Sequence, residues 1–228
     1  MSAMLAARSF AYELAHGLMG HEPTRKVVEV ARSDVASAAY GALEAFGSEF
    51  YAISVDELEG ALRRIDDVSR MKSFYTRAFI GPDELNAPPW ESAYMSKEGL
   101  LFQQCTLDVR RSYQKEGLVP DGYPHVADDH IALECCFMAK LGMRAHDLLD
   151  EGRRNEAASI LGVSREFLVD HMARWVPQYA SRMQGEPDAS IYGKIAAWLA
   201  EFVTADMLFL GQMDIKSFDG RHRSDRDG

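Results

Sequence analysis

Apolar residues recur at three- and four-residue intervals along almost the whole chain, and the alternation expected of a half-buried strand is nearly absent. That period restricts the fold to packed helices, because a helix buries one stripe of its surface whereas a strand buries every second residue. In SVDELEGALRRIDDVSRMKSFYTRAF, Leu58, Leu62, Ile65, Val68 or Met71, Phe74 or Tyr75 and Ala78 share one face. Ser54 with Glu57 forms a capping box at its start, and Gly81 with Pro82 stops it. The same period predicts helices from Met4 to Met19 and from Lys26 to Phe46, parted by the turn GHEPT, and another in EGLLFQQCTLDVRRSYQKEG that closes on Gly117.

HIALECCFMAKLGMRAHDLLDEG is apolar on most of its circumference and is expected at the centre, with Asp128 and Asp129 ahead of it where an N-cap and a first-turn carboxylate belong. Ser164 is expected to cap REFLVDHMARWVPQYA, and IYGKIAAWLAEFVTADMLFLGQM is a further apolar helix. The fold class that follows is all-α: a compact, single-domain multi-helix bundle with a proline-rich loop at about 80–97 and a second loop at about 117–129. The domain is expected over 1–215, and the polar, glycine-containing 216–228 reads as a disordered tail.

A length of 228 residues with 47% hydrophobic content suits one sizeable core. The net charge of −10 argues against a nucleic-acid surface, which needs clustered basic groups, and favours a cationic partner. No basic start leads into an apolar run as in a signal peptide, and no 18-residue uncharged stretch could hold a stable membrane insertion, so a cytoplasmic location is expected. Cys105, Cys135 and Cys136 form no CxxC pair and read as reduced thiols.

His130 and Glu134 stand at i and i+4 with Asp128 and Asp129 just ahead, a set that suits a divalent metal or an acid/base pair, or else two capping carboxylates and a satisfied histidine. A di-iron bundle needs two ExxH motifs on facing helices, and only Glu13 with His16 supplies one in a helix. GxSxG, GxxxxGK[ST], GxGxxG and HExxH are all absent, and no cofactor is expected. In NAPPWESAY, Pro88 and Pro89 fix an extended backbone and present Trp90 and Tyr94 at low entropic cost, as a recognition surface or as an internal clasp.

FYTRAFIGPDELNAPPWESAY resembles the central signature of the TorD/DmsD/NarJ family, with its aromatic helix end, Gly-Pro turn and APPW-type loop followed by Ser and Tyr. DDHIALECCFMAKL is similar to the family's second signature, an Asp-His segment leading into an acidic, apolar helix, about 40 residues further on. The resemblance is close over Ile65 to Gly142. It implies a non-catalytic cytoplasmic chaperone that binds the twin-arginine or equivalent N-terminal segment of an apo-molybdoenzyme and delays export until cofactor insertion, as a monomer or a domain-swapped dimer.

By motif, the resemblance assigns Trp90, Tyr94, Gly117, Asp129 and His130 to peptide binding, with Pro88, Pro89 and Ser92 as loop signature. Where the family has Pro two residues before the Asp of the Asp-His pair, this chain has Ala127. A twin-arginine segment needs carboxylates beside an apolar groove. Asp128, Asp129 and Glu134 are the candidate acceptors, with His130 to orient Asp129, Gly117 as a point of close backbone approach, and Trp90, Tyr94, Tyr75 and Phe79 as the apolar wall. Two other readings stay open: a permanent subunit or scaffold of a redox complex, and an enzyme using Asp129 and His130 for proton transfer.

Overall fold

A computed structural model of the chain describes residues 1–46, 55–63, 68–81, 84–95, 104–120, 127–185 and 190–213. Its helices are α1 (Ser2–Met19), α2 (Arg25–Ala31), α3 (Asp34–Phe46), α4 (Val55–Arg63), α5 (Val68–Tyr75), α6 (Ser92–Met95), α7 (Gln104–Lys115), α8 (Ile131–Asp150), α9 (Arg154–Phe167), α10 (Ala173–Gln184) and α11 (Ser190–Gln212). Two wider π turns, Thr76–Ile80 and Leu168–Met172, continue α5 and join α9 to α10. Among the described residues no strand occurs, and extended pairing is confined to one bridge between Trp90 and His130.

The central layer is α1 laid antiparallel along α8. Ser2 Oγ donates to Asp150 Oδ1, Ser9 Oγ donates to the Ala139 carbonyl at 2.7 Å, and His16 Nδ1 lies 2.8 Å from the Ala132 carbonyl. Gly142 permits a close approach, since a Cβ there would lie 3.2 Å from Ser9 Cβ. Arg8 and Asp206, both fully buried, tie this layer to α11 through bonds of 2.6 and 2.9 Å, and Tyr12 Oη donates to the same carboxylate at 2.7 Å. Helix α11 is long and apolar enough to cross a bilayer by length and composition, but Ile195, Ala196, Leu199, Phe202 and Val203 are all fully buried in the bundle core.

Local signals were overridden in three places. Ser164 does not begin a helix: it lies buried inside α9, because Ala157, Ile160 and Leu161 extend the apolar stripe upstream and their burial outweighs the local capping preference. The stretch Lys26 to Phe46 divides at Ser33, whose Oγ accepts from Ala36 N–H at 3.2 Å. The N-cap of α8 is His130 rather than Asp128 or Asp129, its Nδ1 accepting from Ala132 N–H at 3.1 Å, and the first-turn carboxylate is Glu134. Gly81, with φ +54, does end the segment at 68–80, whereas Ser54 and the expected tail at 216–228 lie outside the described residues.

A buried charge stripped of its partner is penalised far more than a missing pair. Asp206→Ala should therefore lose about 3–5 kcal/mol in chemical denaturation, and the double change Arg8→Met with Asp206→Leu should lose clearly less. Equal losses would mean that the pair itself, rather than the isolated charge, decides the cost.

Candidate functional site

The two loops meet at the start of α8. Pro88 and Pro89 have no N–H to donate, but the Pro89 carbonyl accepts from Ile131 N–H at 2.9 Å, and Glu91 N–H donates to the Asp129 carbonyl at 3.0 Å. Trp90 and His130 thus face each other across an antiparallel bridge, their rings edge to face at 5.5 Å and both half-buried. Asp129 Oδ2 accepts from Ser92 N–H at 2.8 Å and so caps the short helix α6. Successive residues therefore cap two different helices. His130 spends its Nδ1 on Ala132, and the backbone bridge rather than an imidazole–carboxylate bond joins the segments.

The candidate acceptors lie inside. Asp128, Asp129 and Glu134 are almost wholly buried, as is Glu91 from the APPW segment. Asp128 already holds an arginine of its own chain, with Arg110 Nε at 2.7 Å, and its carbonyl accepts from Tyr113 Oη at 2.9 Å. Glu91 Oε2 accepts from His171 Nδ1 at 2.9 Å, and Glu134 Oε2 accepts from Trp175 Nε1 at 3.1 Å. Burial, reinforced by the nearby Glu91 and Asp129 carboxylates, pushes the Glu134 carboxyl well above its usual range. Burial, with His16 and His21 close by, holds His130 down at about 4, which keeps the imidazole neutral and its Nδ1 free to accept.

The aromatic residues divide. Tyr94 packs behind the loop on Trp175 and Tyr179, at ring distances of 5.4 and 6.4 Å, with the Arg182 guanidinium 4.8 Å from its centroid. Tyr75 and Phe79 stack on each other at 4.7 Å and pack edge-on against Tyr192 of α11, so they form core wall. Gly117, with φ +72, ends α7, where its neighbour Glu116 pairs with Arg144, about four turns up α8 from His130. The structure therefore brings together Trp90, His130, Pro88, Pro89, Ser92, Asp128, Asp129 and Glu134, and leaves Gly117, Tyr75 and Phe79 outside that cluster. No group of three His, Cys, Asp or Glu among the described residues is placed to hold a metal ion.

Arg110, His171, Trp175 and Arg182 were missed from sequence. A charged or polar residue at each end of an aromatic stripe, His171 and Arg182 flanking Trp175 and Tyr179, was the signal available.

Because the folded Glu134 carboxyl binds its proton at higher pH than the unfolded one, it lowers stability only once the unfolded carboxyl ionises. The penalty is absent below about pH 4.5 and grows as pH rises toward the raised folded value. Glu134→Gln, which keeps an oxygen for Trp175, should match wild type in acid and exceed it by on the order of 1 kcal/mol near neutrality, read from denaturation curves at several pH values.

Residues 48–181 match the family model for the nitrate reductase delta subunit. The chain is 23% identical over 156 residues to the chaperone protein TorD of Aliivibrio fischeri, covering 68% of this chain and 71% of that protein. It is 27% identical over 137 residues to the Tat proofreading chaperone DmsD of Salmonella typhi, covering 57% and 60%. A crystal structure from Archaeoglobus fulgidus described as a redox enzyme maturation protein aligns over 90% of this chain and 94% of its own, at 19% identity and a TM-score of 0.49. The named relatives are chaperones rather than enzymes. With more than half of its length matched by the family model, the chain belongs to the nitrate reductase delta subunit family, the TorD/DmsD/NarJ group of redox-enzyme maturation chaperones.

Proposed function

We propose that this chaperone binds the twin-arginine or equivalent N-terminal segment of an apo-molybdoenzyme in the cytoplasm, at the surface where Trp90 and His130 meet, and holds export back until the cofactor is in place. The observation that carries this reading is the bridge itself: two motif segments distant in sequence present one half-buried aromatic pair at the start of the central helix. An indole face accepts a guanidinium by cation–π attraction, and the net charge of −10 draws a cationic segment from solution. The name of one relative, a Tat proofreading chaperone, supports the same ligand class.

In this reading Trp90 and His130 are the contact residues. Pro88, Pro89, Ser92, Asp128, Asp129 and Glu134 hold them in shape from within, and Tyr94 buttresses the loop. The burial of the three carboxylates moves the first contact with arginine from the acids to the indole face.

Trp90→Ala should weaken binding of a synthetic twin-arginine peptide by more than about tenfold in fluorescence anisotropy, with helical circular dichroism unchanged. Replacing the peptide's arginine pair by alanines should have a similar effect on wild type. Full affinity in both experiments would remove the site from this surface.

A further inference from the structure

The π turn Leu168–Met172 and helix α10 carry His171, Trp175, Tyr179 and Arg182 at intervals of four, four and three, which sets them in one row on one helix face. Every member of that row meets the APPW segment or the start of α8. His171 Nδ1 donates to Glu91 at 2.9 Å, while Trp175 stacks near Tyr94 and donates to Glu134. Tyr179 and Arg182 also pack on the Tyr94 ring. The row begins on a five-residue π turn, a widening of the helix that recurs at functional positions.

We infer that this row is the positioning surface of the recognition loop and that His171 is its positioning residue. The physical reason lies in what Glu91 requires. Its carboxylate is fully buried, its backbone N–H is committed to Asp129 and its carbonyl to Tyr94 and Met95, and among the described residues its side chain has one donor, His171. With that donor removed, a buried carboxylate beside Asp129 and Glu134 is uncompensated, and the segment relaxes by moving Glu91 toward water. Trp90 adjoins Glu91 in the chain, so its ring leaves His130 when Glu91 moves. As a statement about peptide binding, the inference rests on the function proposed above. As a statement about the loop, it stands on these contacts.

The loop amides provide the ruler, since Glu91, Ser92, Tyr94 and Ile131 all donate across or within the clasp. In hydrogen–deuterium exchange, His171→Ala should speed exchange of these amides by at least about tenfold and lower peptide affinity by a similar factor. His171→Asn, which offers an N–H donor near the place of Nδ1, should restore both. Arg182→Ala, at the exposed end of the row, should speed exchange at Tyr94 without requiring that the His171 variant fold. Loop exchange equal to wild type in His171→Ala, or in Arg182→Ala where the former does not fold, overturns the inference. A loosened loop with unchanged peptide affinity overturns the positioning role and leaves the proposed function standing. A wild-type chain that binds no twin-arginine peptide overturns that function, and the exchange comparison then decides the clamp alone.

Discussion

The first turn of a central helix presents four N–H groups that its own backbone cannot satisfy, and burying them unpaired would cost several hydrogen bonds. Helix α8 meets this demand with its N-cap residue and with the APPW segment. His130 N–H goes to the Ala127 carbonyl, Ile131 N–H to the Pro89 carbonyl, Ala132 N–H to His130 Nδ1, and Leu133 N–H to the His130 carbonyl. The APPW segment is therefore part of the cap of the central helix α8. Its prolines suit this task, for they offer carbonyls without donors and hold them in an extended line.

An internal clasp and the proposed recognition surface can share one loop. Pro89, Glu91 and Ser92 face inward and complete the bundle, while Trp90 stays half-buried against His130 at the rim. A residue between two anchored neighbours is held with little freedom, which lowers the entropy lost when a ligand docks on it. The same anchoring explains why the carboxylates beneath are closed. Asp129 serves the cap of α6, Asp128 holds Arg110, and Glu134 accepts from Trp175 Nε1.

This arrangement leaves the loop dependent on an element far from it in the chain. Glu91 and Tyr94 are held by His171, Trp175, Tyr179 and Arg182, so the shape of the surface is tied to the packing of α10. The buried pair Arg8–Asp206 plays a comparable part between α1 and α11: each charge compensates the other, and Tyr12 Oη donates to the same carboxylate.

The helical character of the chain, the central place of α8, the stops at Gly81 and Gly117 and the APPW and Asp-His motifs were all legible in the sequence, because each rests on spacing or on the backbone freedom of one residue type. Which helix Asp129 and His130 would cap was not, since a capping residue can serve any N-terminus that packing brings to it. Ser164 failed as a helix start for a related reason: burial of Ala157, Ile160 and Leu161 extended the helix past a locally adequate cap. Tertiary structure alone decided that Gly117, Tyr75 and Phe79 stand apart from Trp90, and that His171 and Trp175 stand beneath it. Periodicity states which face of a helix is buried, but only the packing of α10 against the loop decides which groups that face will meet.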